Sequence, residues 1–174
     1  MKREVFLVTA TDGKTAAGMI ITWVSPAGLI PEQKRLMMSL SPANQTTQVL
    51  LATGRFVLHL LQKSQASLVP LFGEHSSRTV DKFAEVEYED KNGQHIIKGT
   101  CGWNICRVVS TMESGDRITV LAEVEQEYAE EVQEPLFLRE LDGLVGPDVS
   151  RRLSEKFQND IERDRLLRIS FQGK

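Results

Sequence analysis

The residues best suited to chemistry in this chain are polar side chains clustered near short turns. Ser41, Asn44, Thr46 and Thr47 follow or open a Ser41-Pro42 step, a hydroxyl residue with proline just inside, which is a helix-start pattern. The free N–H groups of a helix N-terminus hold anions such as phosphate. Arg78 and Lys82 lie further along the chain and would add fixed positive charge to such a site. Upstream, Val8–Gly13 reads as a strand entering a polar, glycine-containing turn, and Ala17–Ser25 as a second strand that ends in small hydroxyl residues. The backbone and hydroxyls of Ile21, Thr22, Trp23 and Val24, near that strand end, suit the polar edge of a ligand. Plainer readings stand beside these. Asn44 and Thr46 can simply cap a helix. Lys82 can be a surface lysine and Phe83 a core residue. Trp23 can belong to the core or to a subunit interface.

No acid–base triad is evident, and no catalytic residue is assigned. His59, His75 and His95 are scattered, without the spacing of a metal site. His75 lies in the loop between Phe72 and Lys82, where a solvent-facing role is the simplest one. Cys101 and Cys106 lack Cys-x-x-Cys spacing. On one strand, their odd separation would send them to opposite faces, which argues against a disulfide. They read as small apolar residues of a sheet.

The elements that must position these residues are mostly strands. Glu4–Thr9 and Ala16–Val24 flank Asp12-Gly13, a hairpin signal. Leu36–Leu40 is a short apolar strand. The helix after Ser41 carries Val49, Leu50 and Leu51 and ends at Gly54. Arg55–Leu61 alternates as a strand. Ser64–Phe72 reads as a short helix stopped by Gly73, and Ser77–Phe83 as a loop with a helical turn. Val86–Tyr88 and Ile96-Ile97 flank an Asn92-Gly93 turn. Gly102–Met112 and Arg117–Glu125 are strands joined by the Glu113–Asp116 turn, and Pro135–Leu138 is a brief edge strand. From Pro147 the pattern changes: Leu153, Phe157 and Ile161 recur every four residues among mixed charges. That is an amphipathic helix with a solvated polar face, docked on the barrel or on a second subunit. Phe171–Lys174 is left aside. Many short strands with few helices predict a mainly β protein, a barrel decorated by helices.

The totals agree. At 174 residues the chain suits one domain, read as residues 1–146 with a helical extension over 147–170. A net charge of −3, with bases mixed among acids, excludes an electrostatic case for nucleic acid. No apolar run approaches the roughly 20 residues that span a bilayer, so no membrane association is expected. The basic N-terminus lacks the apolar core of a signal peptide, and a cytoplasmic location is the default.

The order of several elements is similar to that of the flavin reductase-like family, whose fold is a Greek-key, FMN-binding split β-barrel. The opening strand pair matches it. Ser25 and Pro31 match a Ser-x-x-Ser-x-x-Pro-Pro element, from which Gly28 and Glu32 depart. Asn44-Gln45-Thr46 stands before Gly54-Arg55-Phe56 as the family's Ser-x-Thr stands before Gly-x-Phe. Phe72-Gly73, Asp81-Lys82-Phe83, Cys106-Arg107-Val108 and Gly115-Asp116 follow in order, to about Leu138.

The resemblance implies an FMN-binding oxidoreductase, with hydride passing from NAD(P)H to flavin; FAD or free flavin as substrate is the variant form. It implies that Ile21, Thr22, Trp23 and Val24 line the isoalloxazine ring. Ser39, Ser41, Asn44, Thr46, Thr47, Arg78, Lys82 and Phe83 would complete the cofactor site. The cofactor carries the redox chemistry, which suits a chain without a triad. A homodimer and an oxygenase or redox-protein partner are also implied. Arg117 stands where nicotinamide-using members have histidine after Gly-Asp, and the lead-in before the first strand is shorter than usual. Both favour an alternative: a non-enzymatic flavin module that passes electrons to a protein partner. A barrel that has lost flavin is the third reading.

Overall fold

In the computed structural model, which describes residues 3–130 and 133–165, the first hydrophobic runs pair as a hairpin. Strands β1 (Phe6–Thr11) and β2 (Ala16–Ile21) are antiparallel. The Asp12 carboxylate closes their turn by accepting from the N–H groups of Thr15 at 2.7 Å and Lys14 at 2.9 Å. These bonds favour the ionised acid and hold its pKa below the usual carboxylate value. The second hydrophobic run does not continue to Val24 as its composition predicts. It breaks at Thr22-Trp23, and β3 (Val24–Pro26) pairs with β4 (Arg35–Leu40) instead.

Helix α1 (Gln45–Thr53) leads into β5 (Arg55–Leu60). Gly54 ends the helix as expected, with φ of 67° and its N–H on the Leu50 carbonyl at 2.9 Å. Helix α2 (Leu68–Glu74) precedes a small hairpin, β6 (Tyr88–Lys91) and β7 (Gln94–Ile97). Asn92 and Gly93, both at positive φ, turn it. The long hairpin β8 (Gly102–Glu113) and β9 (Ile118–Ala129) follows, then α3 (Leu141–Val145) and α4 (Pro147–Arg165).

One antiparallel sheet has the order β2-β1-β5-β8-β9-β4-β3. Its edge strands, β2 and β3, are consecutive in the chain and separated only by Thr22 and Trp23. The sheet must therefore curl until its edges approach, giving the split-barrel shape. Val8, Met19, Met38, Leu50, Phe56 and Val120 fill the interior. A second cluster, with Val5, Leu7, Val69, Phe72, Phe83 and Leu136, cements the helices to the outer face. Gly18 of β2 permits this: a Cβ there would lie 2.6 Å from the Phe72 ring.

Several boundaries differ from the sequence pattern. Ser41 and Pro42 form a turn, with the Asn44 N–H on the Ser41 carbonyl at 3.2 Å, so α1 starts only at Gln45. Helix α2 runs through Gly73 instead of stopping there; Leu153 would sit 3.3 Å from a Cβ at this position, so the glycine makes room for α4. Pro135–Leu138 forms isolated bridges to Gln62 and Glu4, not a strand. Strands β8 and β9 stay paired out to Gly102 and Ala129. Cys101 lies just before β8 and Cys106 within it; both are free, buried thiols whose pKa burial raises, Cys106 to about 12. Neither has the character of a reactive thiolate.

His59 is a feature the sequence reading passes over. It is fully buried, its Nδ1 donates to the Leu7 carbonyl at 3.0 Å, and its Nε2 accepts from the Ile97 N–H at 3.1 Å. The neutral ring thereby staples β1, β5 and β7 together, and burial lowers its pKa to about 4. The expected amphipathic helix is present as α4; residues 166–170 of the expected extension, and Phe171–Lys174, lie outside the described residues.

Candidate functional site

Two adjoining cavities lie where the edge of β2, the end of β4 and the start of α1 meet. The larger encloses about 580 Å³ and the smaller about 260 Å³; Met19, Asn44 and Arg163 line both. Their combined size falls within the roughly 300–1,000 Å³ typical of small-molecule sites.

The floor of the larger cavity comes from the barrel edge. Ile21 ends β2, Thr22 and Trp23 form the break, Ser39 lies near the end of β4 and Ser41 just beyond it. Trp23 is half exposed. The roof comes from α4, through Leu153, Phe157, Asp160, Arg163 and Asp164. Arg117 closes one side: its guanidinium lies 5.7 Å from the Trp23 ring centre and 2.5 Å from the Asp164 carboxylate. Asp164 is almost completely buried. Burial opposes its charge, but hydrogen bonds from Arg117 and Arg163 outweigh that and hold its carboxyl below the usual range.

The smaller cavity is cationic. Arg78, Lys82, Lys156 and Arg163 line it, with Gly18, Thr46 and the loop at His75–Ser77. Ser77 ties that loop to the barrel edge by accepting from the Gly18 N–H at 3.3 Å. Asn44 occupies the N-cap position of α1 in an extended conformation, yet its side chain makes no cap bond. It donates instead to the Met19 sulfur at 3.3 Å. The first-turn N–H groups of α1 are thus left without the side-chain cap that the composition predicts. Lys82 is not on the surface. It is 2% exposed, and its ammonium donates to the carbonyls of Gly18 at 3.0 Å and Phe72 at 3.2 Å. An ammonium has three N–H donors, so one remains for the cavity. Burial, and then the nearby charge of Lys156, lower the Lys82 pKa to about 8. Arg78 is held by the Gln48 side chain at 2.8 Å.

Of the residues singled out from sequence, Ile21, Thr22, Trp23, Ser39, Ser41 and Asn44 meet in the larger cavity. Asn44, Thr46, Arg78 and Lys82 meet in the smaller one. Three line neither. Val24 packs against the barrel interior, Thr47 is fully buried with an unpartnered hydroxyl, and Phe83 packs edge-on against Phe72 at 5.8 Å. Sequence reasoning missed the α4 side chains. The fourfold apolar spacing announces a docked face, but not which charges face the cavity.

The flavin reductase-like domain family matches residues 1–141. The chain belongs to the flavin reductase-like family. Its fold agrees with that of solved members. The NADH:FAD oxidoreductase SgcE6 of Streptomyces globisporus superposes with a TM-score of 0.72 at 22% identity, covering 79% of this chain and 81% of that one. Flavoredoxin from Methanosarcina acetivorans gives 0.68 at 23% identity, over 75% and 70%. Diflavin flavoprotein A 1 of Synechocystis sp. is 28% identical over 123 residues, 69% of this chain. A Nostoc sp. relative that bears the diflavin flavoprotein name is 31% identical over 122 residues, 68% of this chain. The chain spans 21% of the length of each of these two flavoproteins. No helix among the described residues is long and apolar enough to cross a membrane.

Proposed function

We propose that the two adjoining cavities together hold FMN and that this flavin accepts hydride from NAD(P)H. The observation that carries the reading is the division of the site. A largely apolar chamber at the barrel edge adjoins a cationic one that contains the buried Lys82. FMN divides in the same way, into a flat ring and a dianionic phosphate. The ring supplies the redox chemistry when bound. Thr22, Ser39 and Ser41 offer hydroxyls to its polar edge, and Trp23 offers a flat face. Lys82, Arg78 and the start of α1 hold the phosphate. Leu153 and Phe157 add an apolar wall to the chamber.

The protein would work in the cytoplasm as a homodimer, handing electrons to an oxygenase or a redox protein. Leu29 and Ile30, 99% and 60% exposed, in the β3–β4 turn, and the half-exposed Trp23 at the other end of β3 leave apolar surface along this margin of the sheet that a second copy would cover. The visible spectrum of the protein after gel filtration with FMN tests the cofactor. A shifted flavin band that co-elutes is expected, followed by oxidation of NADH or NADPH. A protein that neither retains flavin nor turns it over sinks the proposal.

A second reading, a flavin module that exchanges electrons only with proteins, draws on two observations. Arg117 is engaged by Asp164 instead of standing free for a nicotinamide. The diflavin relatives are several times longer than this chain. Tight FMN binding with slow reaction toward both nicotinamides would favour it.

A further inference from the structure

The matched domain ends at residue 141, and α4 begins at Pro147, so this helix lies outside it. Yet α4 is fastened along its whole length. Arg152 pairs with Glu74 of α2 at 3.0 Å, Leu153 packs against Gly73, Arg163 donates to Ser41 at 3.3 Å, and Asp164 holds Arg117. These contacts come from three separate parts of the domain, α2, the end of β4 and the β8–β9 turn, and fix the rotation of the helix. In that rotation Lys156 and Arg163, seven residues apart on one face, both line the cationic cavity opposite Lys82.

Their charges are held by acids of the same helix. Lys156 pairs with Asp160 at 2.8 Å, and Arg163 pairs with Asp160 at 2.9 Å and with Asp164 at 2.7 Å. Asp164 also serves Arg117, which Asp116 contacts too at 3.2 Å, and Glu74, which lines this cavity, is paired with Arg152. Lys82 adds a further positive charge whose contacts are neutral carbonyls. The cavity therefore keeps an excess of positive charge, spread over its barrel wall and its helix wall. A compact dianion with several acceptor oxygens matches that excess better than a neutral polar group does.

Resting on the flavin reading above, we infer that α4 is half of a phosphate clamp: Lys156 and Arg163 grip the phosphomonoester of FMN from the side opposite Lys82. The helix is then part of the cofactor site, not a cover added to a finished domain.

Riboflavin lacks only the phosphate, so it separates the clamp from the ring pocket. Dissociation constants for FMN and riboflavin would be measured by flavin fluorescence on the parent protein, on Lys156→Gln and on Lys156→Gln/Arg163→Gln. Lys156 is about one-third exposed, so its single variant is expected to fold even if the double variant does not. The clamp predicts that FMN binding weakens at least about tenfold in the double variant and several-fold in the single one, while riboflavin binding stays within about twofold. Equal loss for both flavins, or no loss for either, overturns the clamp while the flavin reading stands. A parent protein that binds neither flavin overturns both.

Discussion

Lys82 links charge, burial and ligand more directly than any other residue in this chain. Its ammonium is buried on the Gly18 and Phe72 carbonyls, and its pKa is lowered to about 8. A bound phosphate favours the charged form, so ligand and proton should bind together. FMN affinity is therefore expected to fall as pH rises from about 7 to 9, by roughly tenfold, as Lys82 loses its proton. Fluorescence titrations at both pH values check this. Lys82→Met should bind FMN weakly at both, without the slope. A parent protein with no pH dependence in this range would remove Lys82 from the phosphate site. The sequence could name Lys82 but not its burial, because its carbonyl partners come from a strand and a helix that lie 64 and 10 residues away. Asn44 is the reverse case. Its helix-start position is readable from local pattern, but its side chain turns to Met19 of strand β2, 25 residues away.

Among the elements, β2 couples the barrel to the site through Gly18. Its missing side chain admits Phe72, its carbonyl holds Lys82, and its N–H is bound by Ser77. Gly18→Ala puts a methyl group into the Phe72 ring. A cost of about 1–3 kcal/mol is expected, with weaker FMN retention, because the strand and helix must separate. Denaturant unfolding and a flavin titration measure the two effects; unchanged values for both would show that Phe72 can yield freely. The strands themselves are legible because alternation and turn residues are local signals. Asp12-Gly13, Gly54 and Asn92-Gly93 all mark boundaries in the chain as they do in the fold. The break at Thr22-Trp23 is not legible, since Ala16–Val24 is an unbroken run of strand-compatible residues. It is imposed by curling of the whole sheet. The facing of Lys156 and Arg163 is likewise set by where α4 docks, which depends on Glu74, Ser41 and Arg117 together.

For the whole molecule, His59 ties stability to pH. The folded state holds the ring neutral, with a pKa near 4 against an ordinary 6.5. Between these values the unfolded chain binds a proton that the folded chain excludes, so stability falls as pH falls. Relative to pH 7, the loss from this one group is about 2 kcal/mol at pH 5. Urea unfolding at pH 7 and pH 5 should record it. His59→Gln should be less stable at pH 7 and show a shallower fall. A variant with the same pH slope as the parent would assign the acid sensitivity to other groups.

Thr22 and Trp23 also carry a mechanical consequence. They join the first and last strands of one sheet, and they line the larger cavity. A guest lodged against them touches both free margins of the sheet at once. It acts as a non-covalent crosslink across the seam, so parting the margins and releasing the guest become a single event. The resistance of the protein to unfolding then follows how much guest is at hand, growing with the logarithm of its concentration.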